Sequence, residues 1–183
     1  EPLMAASTAW PERPAYSQTF RLAYEYHPET AGVSRPLDFI CEADLAAIAD
    51  LHDLPLPSTG VLSLFYDSQI QPWGSNYAEM AGVRVLWQDV ASSEMKRLRT
   101  PDSAVRFRER PMSFAQGWML PGWEQDQSEA LAPFGSAECD ALLEYDKEIR
   151  EQHSPVAFAD AGGMQVGGWP NLVQGPMEST CEA

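Results

Sequence analysis

The stretch that most suggests chemistry is GGMQVGGWPNLVQGP, residues 162–176. Glycine-rich loops bind phosphate when their backbone N–H groups surround it, as in the patterns G-x-G-x-x-G and G-x-x-x-x-G-K-[ST]. This stretch has neither the strand-to-helix setting of the first pattern nor the lysine of the second. Pro170 also prevents a helix whose free N–H groups would face a phosphate. We therefore predict a turn of fixed backbone, with Asp160 capping the turn before it.

Nucleophiles and metal ligands are sparse along the chain. Its cysteines and histidines are widely separated, namely Cys41, Cys139, Cys181, His27, His52 and His153. There is no C-x-x-C pair and no G-x-S-x-G elbow, and zinc sites need ligands at close spacings. The sequence therefore predicts no disulfide framework, no metal, no cofactor and no catalytic residue. Cys41 with His52 or His153 is the one nucleophile–base pairing that a fold could assemble.

The net charge is the most unusual bulk property. With 12 Lys and Arg against 27 Asp and Glu, the 183 residues carry a charge of −15. Such a field repels phosphate backbones, so nucleic-acid binding is not expected. It either serves solubility alone or attracts a basic partner. There is no apolar run of about 18 residues and no signal peptide, so we predict one soluble cytoplasmic domain over residues 1–183, with no membrane contact.

Short apolar segments predict a β-rich fold. In residues 18–26 the apolar side chains alternate with polar ones, which predicts a half-buried strand. The period changes in residues 42–51, where a short helical stripe is expected to dock on a sheet. GVLSLFYD, residues 60–67, is apolar throughout and predicts a central strand buried on both faces. VRVLWQDV, residues 83–90, predicts the next strand, paired antiparallel with it.

The basic residues concentrate between positions 94 and 110. Arg106, Arg108 and Arg110 alternate with Val105 and Phe107, which predicts a strand with an exposed basic face. No aromatic side chains interleave on that same face, so the pattern is weak as a nucleic-acid site.

The clearest helix lies in SAECDALLEYDKEIREQH, residues 136–153. Ser136 is a suitable N-cap, and Glu138 and Asp140 suit the first turn. One face of this helix is expected to pack and the other to be strongly acidic. The acidic side chains that we take as a candidate partner surface are Glu138, Asp140, Glu144, Asp146, Glu148 and Glu151.

Two separated stretches resemble a single family. PLDFICEADLAAIADLHDLPLPSTGVLSLFYD at 36–67 and QVGGWPNLVQGPMESTC at 165–181 are similar to the two motifs of the YwqG-like bacterial proteins, which are uncharacterised. PWG at 72–74 and GVRVLW at 82–87 fit the elements that lie between. The residues that carry the resemblance are Asp44, Gly60, Phe65, Tyr66, Asp67, Trp73, Gly167, Gly168, Trp169, Pro170 and Gln174.

The resemblance implies an α+β, predominantly β fold, with an antiparallel or mixed sheet and a few short helices packed on it. It also implies a further tryptophan-containing sheet segment, which is missing here because the chain ends at Ala183, so the chain is either a short member or a truncated one. A sheet with an unpaired edge needs a partner chain, which keeps a homo-oligomer open. Glu42 and Met164 depart from the family's Gln and His. The family brings no established activity and hence no catalytic residue.

Two functions stay open at this point. The first is a non-enzymatic interaction protein of the toxin-immunity type, whose acidic helix binds a basic partner. The second is a small-molecule binding protein or an enzyme of unknown reaction, with a pocket walled by Trp73, Trp118, Trp123 and Trp169. We favour the first.

Overall fold

The computed structural model describes residues 1–51, 54–72, 77–116 and 135–153. The chain divides into two compact units, the first made of Glu1–Asp50 with Pro55–Pro111 and the second of Leu51–Leu54 with Met112–Ala183. The expectation of a single domain stays a prediction. The described strands are β1 (Leu3–Met4), β2 (Glu12–Arg13), β3 (Arg35–Pro36), β4 (Asp38–Asp44), β5 (Val61–Tyr66), β6 (Val83–Gln88) and β7 (Lys96–Arg97). The described α-helices are α1 (Arg21–Tyr26), α2 (Pro28–Ala31) and α3 (Ala137–His153).

A three-stranded antiparallel sheet in the order β4-β5-β6 organises the first unit. The remaining strands form two short antiparallel ribbons, β1 with β7 and β2 with β3. This arrangement confirms the predicted α+β, mostly β class. It also confirms that β5 is central and that β6 pairs antiparallel with it.

The central strand is buried on one face rather than on both. Val61, Ser63 and Phe65 are buried, whereas Leu62 and Leu64 are only half-buried. An apolar strand sequence therefore does not by itself mean that both faces are covered, because an antiparallel sheet needs only one packed face.

The core of the sheet lies against the buried face of β5. Phe65 packs with Met4 and Leu37, and its ring meets Trp10 edge-on with 5.4 Å between ring centroids. Phe39 lies on the same side, at 5.6 Å. Aromatic rings in these orientations add attraction beyond the burial of apolar area.

The predicted strand over residues 18–26 is wrong. Residues 21–26 form α1 and residues 28–31 form α2. The same apolar residues that alternate also fit a helical period, because Phe20 and Ala23 are three apart and both buried, in one cluster with Tyr16 and Ala31. Leu22 and Tyr26, which alternation would bury, are exposed.

The helical stripe in residues 42–51 is confirmed only in part. Strand β4 runs on to Asp44, and two 3-10 turns follow, Leu45–Ala47 and Ala49–Leu51. Leu45 and Ile48, the core of the predicted stripe, are buried.

The predicted strand over residues 105–110 is also wrong. The N–H of Val105 donates to Asp38 Oδ1 at 2.7 Å, so a carboxylate takes the bond that a neighbouring strand would need. Arg106 donates to the carbonyl of Thr100 at 3.0 Å. The basic side chains at 106, 108 and 110 are exposed, as the pattern predicts.

Helix α3 confirms the predicted helix of the second unit. The Ser136 hydroxyl accepts the N–H of Cys139 at 3.1 Å, which is an N-cap bond to the third helical residue. Among the described helices, none has the length and apolar content needed to cross a membrane.

Candidate functional site

Asp67, at the end of β5, lies at the centre of a buried polar network. Its side chain is 1% exposed, and Oδ2 lies 2.7 Å from Arg13 Nε. Oδ1 accepts the N–H groups of Gln69 at 3.2 Å and Ile70 at 3.3 Å. The carboxylate therefore both pairs with a buried cation and closes the turn that leaves the strand.

Arg13, on β2, is fully buried, and its two terminal nitrogens donate hydrogen bonds while Nε only forms the ion pair with Asp67 and makes no hydrogen bond. Nη1 donates to the carbonyls of Pro14 and Val33, both at 3.0 Å, and Nη2 donates to that of Thr30 at 3.0 Å. The guanidinium also lies 4.3 Å from the centroid of the Tyr16 ring. A planar group with five donors suits such a site, because it can bond several oxygens at once.

Tyr16 joins the network through its hydroxyl, which donates to Asp67 Oδ2 at 3.1 Å. Burial raises the pKa of Tyr16 well above its usual value, and the negative charge of Asp67 raises that pKa further. The pKa of Tyr66 is raised by the same two causes, burial first and Asp67 second. Both phenols therefore stay protonated at neutral pH.

The raised pKa of Tyr16 predicts a loss of stability in alkaline solution. Because the folded protein holds this proton more tightly than the unfolded chain does, its contribution is complete below about pH 10 and is lost as the pH rises beyond that value. We expect the free energy of unfolding to fall between about pH 10 and pH 12, and to fall less steeply in Tyr16→Phe. Urea titrations across this range, with Tyr26→Phe as the exposed control, measure the difference. Equal slopes for the two variants would refute it.

Asp38 and Arg35 extend the network towards β4 and β3. Asp38 is fully buried and accepts the N–H and the hydroxyl of Ser68 on Oδ2. Arg35 lies 3.8 Å from Asp38 and 4.0 Å from Asp67 Oδ1. Two carboxylates and two guanidiniums thus join three strands and the turn that follows β5.

The network's chemistry is structural. Its carboxylates bind N–H groups, hydroxyls and guanidiniums of the same chain, which leaves no pair placed for acid–base work. Within the described ranges no three His, Cys, Asp or Glu side chains form a cluster that would hold a metal ion. Sequence reasoning singled out Asp67 but missed its partners Arg13, Tyr16, Arg35 and Asp38. The available signal was a carboxylate directly after an apolar strand, because such a carboxylate needs a counter-charge if the fold buries it.

The other described motif residues are structural too. Asp44 caps the first 3-10 turn by accepting the N–H of Ala46 at 3.0 Å. Tyr66 donates to the carbonyl of Pro72 at 2.8 Å. Gly60 has a φ of +91°, and a β-carbon there would collide with the Gln88 carbonyl. Glycine is therefore required where the chain turns into β5.

The surroundings of Cys41 that the structure describes favour the thiol over the thiolate. This cysteine is half-buried, and burial raises the pKa of its thiol, with a further rise from Glu42. His52 and the side chain of His153 lie outside what the structure describes, so the pairing with Cys41 stays untested.

The second motif also lies outside the described residues. This applies to Gly167, Gly168, Trp169, Pro170 and Gln174, to Asp160, and to the proposed pocket walls Trp73, Trp118 and Trp123. The pocket stays a prediction.

The acidic face of α3 is the candidate surface that the structure does describe. Glu138, Asp140, Glu144 and Glu148 are exposed, and Tyr145 beside them is 55% exposed. Asp140, Glu144 and Glu148 are four residues apart, so they form one row along the helix. Glu148 also accepts the Gln152 side-chain amide at 3.0 Å. Asp146 and Glu151 belong to the same helix.

These observations define an α+β chain whose first unit is fastened by a buried ion network and whose second unit presents an acidic helix. The profile of the family described as a domain of unknown function (DUF1963) matches residues 1–183. The chain therefore belongs to this family. No curated protein and no solved structure matched it.

Proposed function

We propose that this chain is a non-enzymatic interaction protein whose acidic helix α3 binds a basic protein partner. We also propose that it is a YwqG-like member of its family and acts in the cytoplasm, in the manner of an immunity protein that covers a toxin. The observation that carries the proposal is the row of exposed carboxylates, Asp140, Glu144 and Glu148, next to an exposed Tyr145.

The row of carboxylates lowers the stability of the helix that carries it. Like charges four residues apart destabilise an isolated helix. A partner with lysines or arginines facing the row relieves this repulsion, and a tyrosine at its side supplies the aromatic contact that is common at the centre of interfaces. The net charge of −15 adds long-range attraction for the same class of partner.

The test compares two charge variants of equal net charge. The helix variant is Asp140→Lys, Glu144→Lys and Glu148→Lys. The control variant is Glu25→Lys, Glu29→Lys and Glu94→Lys, which changes three exposed carboxylates in the first unit. Each replacement adds two charges, so three of them move both chains from −15 by the same amount. The tagged wild-type chain is used to capture proteins from a lysate of its own cells, and each captured basic protein is then purified and titrated by calorimetry.

We expect a captured partner to bind wild type and the control variant similarly, and to bind the helix variant about tenfold or more weakly. Affinity for wild type should fall as salt rises, because the contact joins opposite charges. Equal weakening by both variants, or no basic partner, would contradict the proposal.

A further inference from the structure

Strand β6 is one of the two outer strands of the three-stranded sheet. The backbone N–H and C=O groups of its successive residues point alternately towards β5 and away from it. The N–H of Asp67 donates to the carbonyl of Gly82 at 2.8 Å, which makes these two residues a hydrogen-bonded pair. In an antiparallel ladder hydrogen-bonded pairs alternate with non-bonded ones. Because Arg84 and Leu86 then bond to β5, the N–H and C=O groups of the residues between and beside them point away from it. These outward residues are Val83, Val85 and Trp87.

The outward edge is open within the described part of the chain. Neither the ladders nor the other backbone bonds described there use the N–H or C=O of the three outward residues. Val85 is 57% exposed and Trp87 48% exposed, and both lie on the half-buried face of the sheet, beside Leu64 and Leu62. Open edges are usually guarded by charges or proline, whereas these three positions carry only apolar side chains.

We propose that β6 pairs antiparallel with β6 of a second copy of this chain, with the two-fold axis at Val85. In this register Val85 faces Val85, and Val83 faces Trp87 of the second copy. Each hydrogen-bonded pair exchanges two bonds, so this register satisfies every outward group of the three residues. Apolar side chains then meet apolar ones at each position.

The charges on β6 are compatible with pairing between β6 strands of two copies. Arg84, the one charged residue of β6, lies opposite Leu86 of the second copy, so no like charges face each other across the new ladder. A short two-strand interface is smaller than the ~1,600 Å² of a standard interface, so the dimer should dissociate on dilution. The net charge of −15 on each copy opposes association, so salt should strengthen the dimer. This is the opposite of the salt effect on a basic partner at α3.

The first test uses the wild-type chain alone. Amide hydrogen exchange at roughly 1 µM and at roughly 1 mM should leave Arg84 and Leu86 protected at both concentrations. Val83, Val85 and Trp87 should become at least tenfold better protected at the higher one. If these three amides exchange equally fast at both concentrations, the proposal is wrong.

The second test uses matched lysine variants and sedimentation equilibrium. Val85→Lys places two lysines at the two-fold axis and leaves the β5–β6 bonds in place, because position 85 bonds outward. Val33→Lys makes the same charge change at a valine that is 50% exposed in a bend. Val33→Lys should dimerise like wild type, and Val85→Lys should stay monomeric over the same concentrations.

A third variant tests the backbone bond itself. Val85→Pro removes an outward N–H, a substitution that edge strands accept, and it should also abolish the dimer while circular dichroism stays that of the wild type. A dimer unchanged by Val85→Lys, or one that weakens as salt rises, would overturn the proposal.

Discussion

Replacing Asp67 by alanine should lower the free energy of unfolding by about 3–5 kcal/mol. The side chain is 1% exposed, so its removal leaves the guanidinium of Arg13 buried without its counter-charge. It also removes the acceptor for the Tyr16 hydroxyl and for the two N–H groups that close the turn after β5. Because whole domains are stable by only about 5–15 kcal/mol, this variant should unfold at far lower urea concentrations.

Two further variants separate the effect of the Asp67 charge from the effects of side-chain size and of losing any carboxylate. Asp67→Asn keeps the size of the side chain and an acceptor oxygen but removes the negative charge. The decrease in the free energy of unfolding that it causes therefore reports the ion pair with Arg13. Asp102→Ala removes a carboxylate that pairs with Arg99 at 3.3 Å on the surface. This control should change stability by less than about 1 kcal/mol, because exposed ion pairs are weak. If Asp67→Ala costs no more than Asp102→Ala, the network does not hold the fold.

Much of the sheet could be predicted from the sequence because its signals are local. The apolar run that becomes β5 and the segment that becomes β6 stand between turns, and the uninterrupted apolar run of β5 favours a strand with neighbours on both sides. The start of α3 could be predicted for the same reason, since the N-cap bond joins Ser136 to Cys139, only three residues further on.

The errors arose where tertiary contacts choose between two local patterns. Residues 18–26 fit both alternation and a helical period, and only the packing of Phe20 and Ala23 against Tyr16 selects the helix. Near Val105 a buried carboxylate takes the backbone bond that a strand would need. Neither partner is close in sequence, so no window of a few residues contains the deciding information.

Only part of the ion network could be predicted from the sequence, for the same reason. Asp67 follows an apolar strand, which signals a special carboxylate, but Arg13 and Arg35 stand 54 and 32 positions earlier in the sequence and look like ordinary surface charges there. Only the fold brings them together. The helix α3 itself was predictable, because its cap and its charge pattern lie within a single element. Its packed face was not, since Leu143 and Tyr145 are 44% and 55% exposed.

Phe65→Ala is the second large effect, with an expected loss of about 3–5 kcal/mol. The ring is fully buried and packs against Met4, Leu37, Trp10 and Phe39. Truncation removes its apolar contacts and leaves a cavity among these neighbours, because a close-packed interior relaxes only in part around a missing ring. The edge-on contact with Trp10 is lost as well, so near-ultraviolet circular dichroism should report the change locally, alongside a urea titration.

Two control variants for this prediction change the volume that is lost and the burial of the mutated position. Phe65→Leu keeps most of the volume and should cost clearly less than alanine, since the residual cavity is smaller. Phe107→Ala removes the same ring from a position that is 54% exposed and should cost under about 1 kcal/mol. Equal losses for Phe65→Ala and Phe107→Ala would mean that the buried face of β5 is not the core of the first unit. A graded loss, from Phe107→Ala through Phe65→Leu to Phe65→Ala, would tie the stability of this unit to the packing under its central strand.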